Sequence, residues 1–151
     1  MKEAFGGYWL FVIVIFFLTV FSAFLALSVN YSRAYKVKDE IIGIIERKNG
    51  IYDINGGDTG AIEEIQAYMA DVGYRTQGTC SNGYVGYNLT SRGITDKPTF
   101  CVQTVDATLG SNGIPASYYK IEVFFRLDIP IFSSLFNLKL EGATKTLYYA
   151  K

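Results

Sequence analysis

Histidine is absent from this 151-residue chain. General bases and metal sites built on imidazole are therefore excluded. Cysteine occurs twice, at Cys80 and Cys101. Two thiols are too few for a structural zinc site, which takes four ligands, and suit one disulfide in an oxidising compartment. Charge of one sign is not in excess: 14 basic residues balance 14 acidic ones. Nothing in that balance points to nucleic acid. No G-x-S-x-G, P-loop or dinucleotide fingerprint occurs, and the acids are scattered rather than paired. The expectation is a protein with no catalytic residue, metal or cofactor, and not an enzyme.

What is present is one long uncharged run, YWLFVIVIFFLTVFSAFLALSV, from Tyr8 to Val29. At about 1.5 Å per residue it matches a bilayer core of about 30 Å. A cleavable signal, cut after Ser28 behind Ala26-Leu27, is the main competing reading. Signal h-regions are shorter, about 7–15 residues, and Lys2 is offset here by Glu3. The β-branched and aromatic residues Val12–Phe17 suit a strand in water. In lipid, only a helix satisfies the backbone of a single segment. Residues 1–7 read as an N-terminal stub, 8–29 as a transmembrane helix, 30–48 as an amphipathic extension and 49–151 as a mainly-β head.

Two signals disagree about the side on which the head lies. Arg33, Lys36 and Lys38 follow the span, against Lys2 before it, which favours a cytoplasmic head. A disulfide favours the outside, and long polar domains translocate largely regardless of flanking charge. The expected placement is a single-pass cytoplasmic membrane protein with an extracytoplasmic C-terminal domain, at the cell surface or in a pilus.

The helix is expected to continue beyond the span, since neither proline nor glycine intervenes between Val29 and Gly43. Ala34, Val37, Ile41, Ile44, Ile45 and Lys48 lie at three- and four-residue steps, one stripe of a helix. Asn49-Gly50 supplies a stop. Gly60–Val72 reads as a second helix, capped by Asp58 or Thr59, with Glu63 and Glu64 in its first turn. Ile62, Ile65, Tyr68 or Met69, and Val72 form its apolar face. Strands are expected at Tyr74–Cys80, Tyr84–Thr90, Thr99–Ala107, Tyr118–Asp128 and Asn137–Tyr148. Turns are expected at Ser81-Asn82-Gly83 and Ser111-Asn112-Gly113. In Tyr118–Asp128, Tyr119, Ile121, Val123, Phe125 and Leu127 share one face, and Tyr118, Lys120, Glu122, Phe124 and Arg126 the other. The fold class is α+β: a long N-terminal helix, a short second helix and an antiparallel sheet of four or five strands.

Three lesser features are weighed against plain structural roles. Asp53, Asn55 and Glu64 fall at the first, third and twelfth positions of a calcium loop, but Asp58 replaces the glycine at the sixth. A turn followed by a helix cap accounts better for that segment. Asn88-Leu89-Thr90 is a glycosylation sequon, of a kind common by chance. A Cys80–Cys101 bond would close a loop worth about 3 kcal/mol in the chain-entropy picture, a structural role.

The layout resembles a family. The stub Met1-Lys2-Glu3-Ala4-Phe5-Gly6-Gly7, the apolar helix, its amphipathic extension and a small β-domain look like a type IV pilin-like protein. The alternating strand, then Asp128-Ile129-Pro130-Ile131, a Phe/Leu-rich link through Phe136, Leu138-Lys139-Leu140 and Gly142-Ala143-Thr144-Lys145-Thr146 are similar to the ends of TadE-like pseudopilins of Flp/Tad pilus systems. The resemblance implies cleavage by a prepilin peptidase after Gly6 or Gly7. It also implies partnership with the lipid bilayer and with other pilin-like subunits or pilus assembly proteins. The chain departs from the pattern at Val12, the fifth residue counting from Tyr8, where the family has a glutamate. That departure points to a minor or initiating subunit rather than a self-polymerising one. The head is also larger than that of a minimal Flp-type pilin.

In an apolar bundle, Phe11, Phe16, Phe17, Phe21 and Phe24 would pack helix on helix, with Ala23, Ala26 and Ser28 allowing close approach on one side. The expected function is a non-enzymatic minor pilin or pseudopilin, the helix serving anchoring and assembly and the head serving interaction. The alternative is a membrane-anchored extracellular binding module or adhesin unrelated to pili.

Overall fold

The computed structural model describes residues 2–52, 57–90, 95–109, 114–126 and 137–148. Helix α1 runs unbroken over Lys2–Arg47, 46 residues, or about 69 Å at 1.5 Å per residue. Its two parts meet different surroundings. Gly6 to Ser22 is exposed throughout. Leu27 is the first large residue to touch the core, and Ala34, Val37, Ile41, Ile44 and Ile45 are buried. Of the stripe expected from spacing, only Lys48 stays exposed.

Both helices end in the same hydrogen-bonded motif. After α1, the Asn49 amide bonds to the Glu46 carbonyl and the Gly50 amide to the Ile45 carbonyl, with Asn49 left-handed at φ 57°. After α2 (Ala61–Asp71), the Gly73 amide bonds to Ala70 and the Tyr74 amide to Met69. This is the Schellman closure, and buried Tyr74 against buried Met69 supplies its usual apolar contact. The start of α2 differs from expectation. Gly60 is the N-cap and no side chain caps the helix. Asp58 instead accepts from the Gly60 amide at 2.9 Å, and the Thr59 hydroxyl turns back to the carbonyls of Gly50 (2.7 Å) and Ile51 (3.0 Å). Tying the loop to the end of α1 takes both candidate caps away from α2.

The sheet is antiparallel. It runs β1 (Val85–Tyr87), β2 (Phe100–Leu109), β3 (Ile114–Arg126), β4 (Asn137–Ala143), with β5 (Leu147–Tyr148) also on β3. β4 and β5 are one strand broken by a bulge. Ala143 opposes Lys120 and Leu147 opposes Ser117, so three residues face two. Thr144 repairs the ladder. Its amide bonds to the Tyr119 carbonyl at 2.9 Å, and its hydroxyl accepts from the Tyr119 amide at 3.0 Å. The bulge is clasped to α1, where Glu46 accepts the Lys145 amide at 2.8 Å and meets its ammonium at 3.3 Å. The Lys145 amide bond is the main reason the Glu46 carboxyl lies below its ordinary range.

α1 packs on the face carrying Tyr119, Ile121, Val123 and Phe125, with Phe100, Val102 and Leu140 beside them, and α2 packs against α1 in the same core. Gly142 opposes Ile121 on that face, and a Cβ there would sit 2.9 Å from Lys38 and 3.0 Å from Ile42. α1 therefore crosses β4 at a position without a side chain.

The segment Tyr74–Cys80 is not a sheet strand. Its residues alternate in burial, as expected of an extended chain. It starts at the helix-side core with Tyr74 and from Gly78 onward lies over the second face of the sheet. The Tyr74 hydroxyl donates to the Phe124 carbonyl, and Gly78 sits so tightly on the Phe124 ring that a Cβ would be 2.2 Å from it. Burial pushes the Tyr74 phenol up to about 12. The second face is consequently dry at its centre, where Glu122 and Phe124 are buried. Leu127, the 111–113 turn and the 127–136 link, including Asp128, Pro130 and Phe136, lie outside the described residues.

Candidate functional site

Three surfaces are set by this architecture: the uncovered half of α1, the stapled second face of the sheet, and a basic groove where the head meets the helix.

The segment within Gly6–Arg47 is long and apolar enough to cross a membrane, which fits a transmembrane helix. Two of its hydroxyls are satisfied internally: Thr19 donates to the Ile15 carbonyl and Ser22 to the Leu18 carbonyl, each at 2.8 Å. Neither of these two donors is left for the surroundings to satisfy. Amphipathic aromatics stand exposed at both ends, Tyr8 and Trp9 at one and Tyr31 and Tyr35 at the other. Trp9 and Tyr31 are ~33 Å apart along the axis, near the thickness of a hydrocarbon core. Aromatic rings of this kind favour the two membrane interfaces. Tyr31 is anchored to the head, edge-on to Phe125 at 5.9 Å.

The expected packing residues divide between faces. Phe16 and Phe17 are 67% and 72% exposed. Ala23 and Ala26 are half-buried and continue the line of Leu27, Asn30 and Ala34 toward the head. Ser28 is exposed and stands about 140° around the helix from Ala23. The three small residues therefore do not form a single stripe. Gly6 and Gly7 are helical, with open space around each.

Cys80 and Cys101 are bonded, with Cα atoms 5.8 Å apart. The bond fixes the crossing segment to β2. Beside it, Glu122 is the central buried charge of the second face. It accepts the Ser81 amide at 3.0 Å and meets Lys139 at 3.1 Å. Lys139 also bonds to the Ser81 hydroxyl and to Glu141 at 3.1 Å. Burial alone would raise the Glu122 carboxyl, but the Ser81 and Lys139 hydrogen bonds outweigh it and hold it below its ordinary range. Every described buried side-chain polar atom has a partner.

Of the calcium-loop residues, Asp53 and Asn55 lie outside the described residues, and the Glu64 carboxylate is engaged by Arg47 at 3.3 Å and Lys48 at 3.2 Å. Among the described residues no acid, cysteine and histidine cluster suits a metal ion. The Asn88 side chain is turned inward on its own loop, accepting from the Thr90 amide at 3.0 Å.

The groove was not legible in the sequence. Arg33 on α1, Arg75 after α2 and Arg126 at the end of β3 line it together. The linear pattern sets Arg33 as a flanking charge, Arg126 on one face of an alternating strand and Arg75 in an extended segment, and nothing in it joins the three. Arg75 and Arg126 are brought to the groove by the α2 turn and the β3 register. Arg33 is held there by donating to the Val72 carbonyl at 2.7 Å.

Compared with protein-family models, with curated proteins and with solved structures, the chain matches none.

Proposed function

We propose that the chain is a non-enzymatic, membrane-anchored structural subunit, a minor pilin or pseudopilin of a Tad-like type IV pilus. The observation that carries this reading is a single continuous helix shared between two environments. Its first half has no partner among the described residues, and its second half is part of the head's core. Such a rod transmits any movement of the membrane half directly to the head, as an assembly subunit requires. A flexible tether would not. The Cys80–Cys101 bond supports an extracytoplasmic head. Val12, in place of an acid, supports a minor rather than a self-polymerising role.

Intact-mass spectrometry of the protein from its host's membranes and sheared surface fraction tests the proposal. A mass lacking the residues through Gly6 or Gly7, and two daltons lighter until reduced, is expected. A full-length species with two free thiols, confined to membranes, overturns it and leaves an anchored domain of another kind.

A further inference from the structure

We infer that the arginine groove at the base of the head binds the phosphate of an anionic phospholipid in the leaflet on which the head rests. The inference rests on the reading that the apolar half of α1 lies in a bilayer, and is independent of pilin processing. Two adjoining cavities, of about 120 Å³ and about 370 Å³, share Gly73, Arg75, Thr76 and Arg126. Arg33 and Asn30 close one side, Gln77 extends the other, and among the described residues no carboxylate lines either cavity. Among the described residues, neither Arg75 nor Arg126 has an acidic partner. Three guanidinium groups whose described neighbours carry no negative charge make a site for an anion. The planar guanidinium fork suits phosphate oxygens in particular.

Its height selects the source of that phosphate. Arg33 stands four residues beyond Val29, about 6 Å along the axis. The headgroup layer adds about 5–7 Å to each side of the hydrocarbon core. Arg33 thus sits at the depth of the phosphates, with Tyr31 in the interface just below. The Val72 carbonyl fixes the direction of Arg33, and Arg75 and Arg126 complete the cradle from the head. Basic residues close to an anionic leaflet each strengthen association about fivefold, and grouping them gives one lipid several partners. The three groups come from α1, the α2 turn and β3, so the site exists only when the head is folded onto the helix.

The test uses the full chain reconstituted in phosphatidylcholine vesicles carrying trace spin-labelled phosphatidylglycerol or phosphatidylcholine. The measurement is the motionally restricted fraction of each label. A several-fold preference for phosphatidylglycerol is expected. It should fall toward none in Arg75→Gln/Arg126→Gln. Lys36→Gln, outside the groove, should leave it unchanged, and Arg75→Lys/Arg126→Lys should restore part of it. Equal restriction of both labels by the wild type overturns the inference, as does an equal loss from Lys36→Gln, which would mean diffuse charge. If millimolar inorganic phosphate abolishes the preference and binds the detergent-solubilised protein with the same arginine dependence, the site is one for a free anion and the lipid assignment falls. Flotation of the vesicles separates the failures. Protein that floats without lipid preference sinks the groove alone, whereas protein that does not float sinks the membrane reading with it. The N-terminal mass reports on processing separately.

Discussion

Glu122 shows how a single polar residue can organise a dry face. Its carboxylate is buried, yet it accepts the Ser81 amide and is paired with half-exposed Lys139. Replacing it with alanine strands a donor and should cost about 1–3 kcal/mol, read by urea unfolding. The folded-state carboxyl is held below its unfolded value. Its stabilisation is therefore complete above the ordinary carboxylate range and is lost as pH falls through that range toward the folded value. Glu46 shifts in the same direction. Stability measured from pH 7 downward should decline through that window, and more shallowly in Glu122→Gln. Gly78 is a second sensitive position, because any Cβ collides with the Phe124 ring. Gly78→Ala should cost about 1–3 kcal/mol, with the crossing segment displaced. The same denaturation curve will show it.

At the scale of elements, α1 is the central case. Ile41 lies fully inside the core, whereas Phe16 is mostly exposed. Ile41→Ala should destabilise the head by about 2–5 kcal/mol. Phe16→Ala should leave head unfolding unchanged and affect only what the helix meets outside the chain. Matched chemical denaturation in detergent separates the two. The crossing segment depends on its staple in the same way. Reduction of Cys80–Cys101 should remove about 3 kcal/mol and expose Tyr74 and Phe124, which near-ultraviolet circular dichroism will register. Elements with strong periodicity were legible beforehand: both helices, β2, β3 and the alternation of Tyr119, Ile121, Val123 and Phe125. The segment Tyr74–Cys80 was misread because period-two burial reports an extended chain. Whether that chain joins a ladder depends on where the sheet edge is. The β4–β5 bulge was missed for a related reason, since Thr144 replaces a backbone acceptor with a hydroxyl and leaves the residue pattern continuous.

At the scale of the whole molecule, the head and the helix are not separable units. The head's core includes Ala34, Val37, Ile41, Ile44 and Ile45 from α1. A fragment beginning at Asn30 should fold and remain in solution, whereas one beginning at Gly50 should not fold. Dispersed amide resonances in the first and their collapse in the second would establish this. The full chain should resist carbonate extraction from membranes, and the Asn30 fragment should not associate with them.

The linear order of residues determined by itself that one segment is apolar on every side, that the helix continues past it, and that two thiols are available to pair. Those properties depend on composition and on neighbours a few residues apart. The tertiary structure alone decided that the second face of the sheet is covered, that Glu122 is buried beside Lys139, and that Arg33, Arg75 and Arg126 share one groove. These residues are far apart in the chain, and only the strand register, the two Schellman turns and the disulfide bring them together.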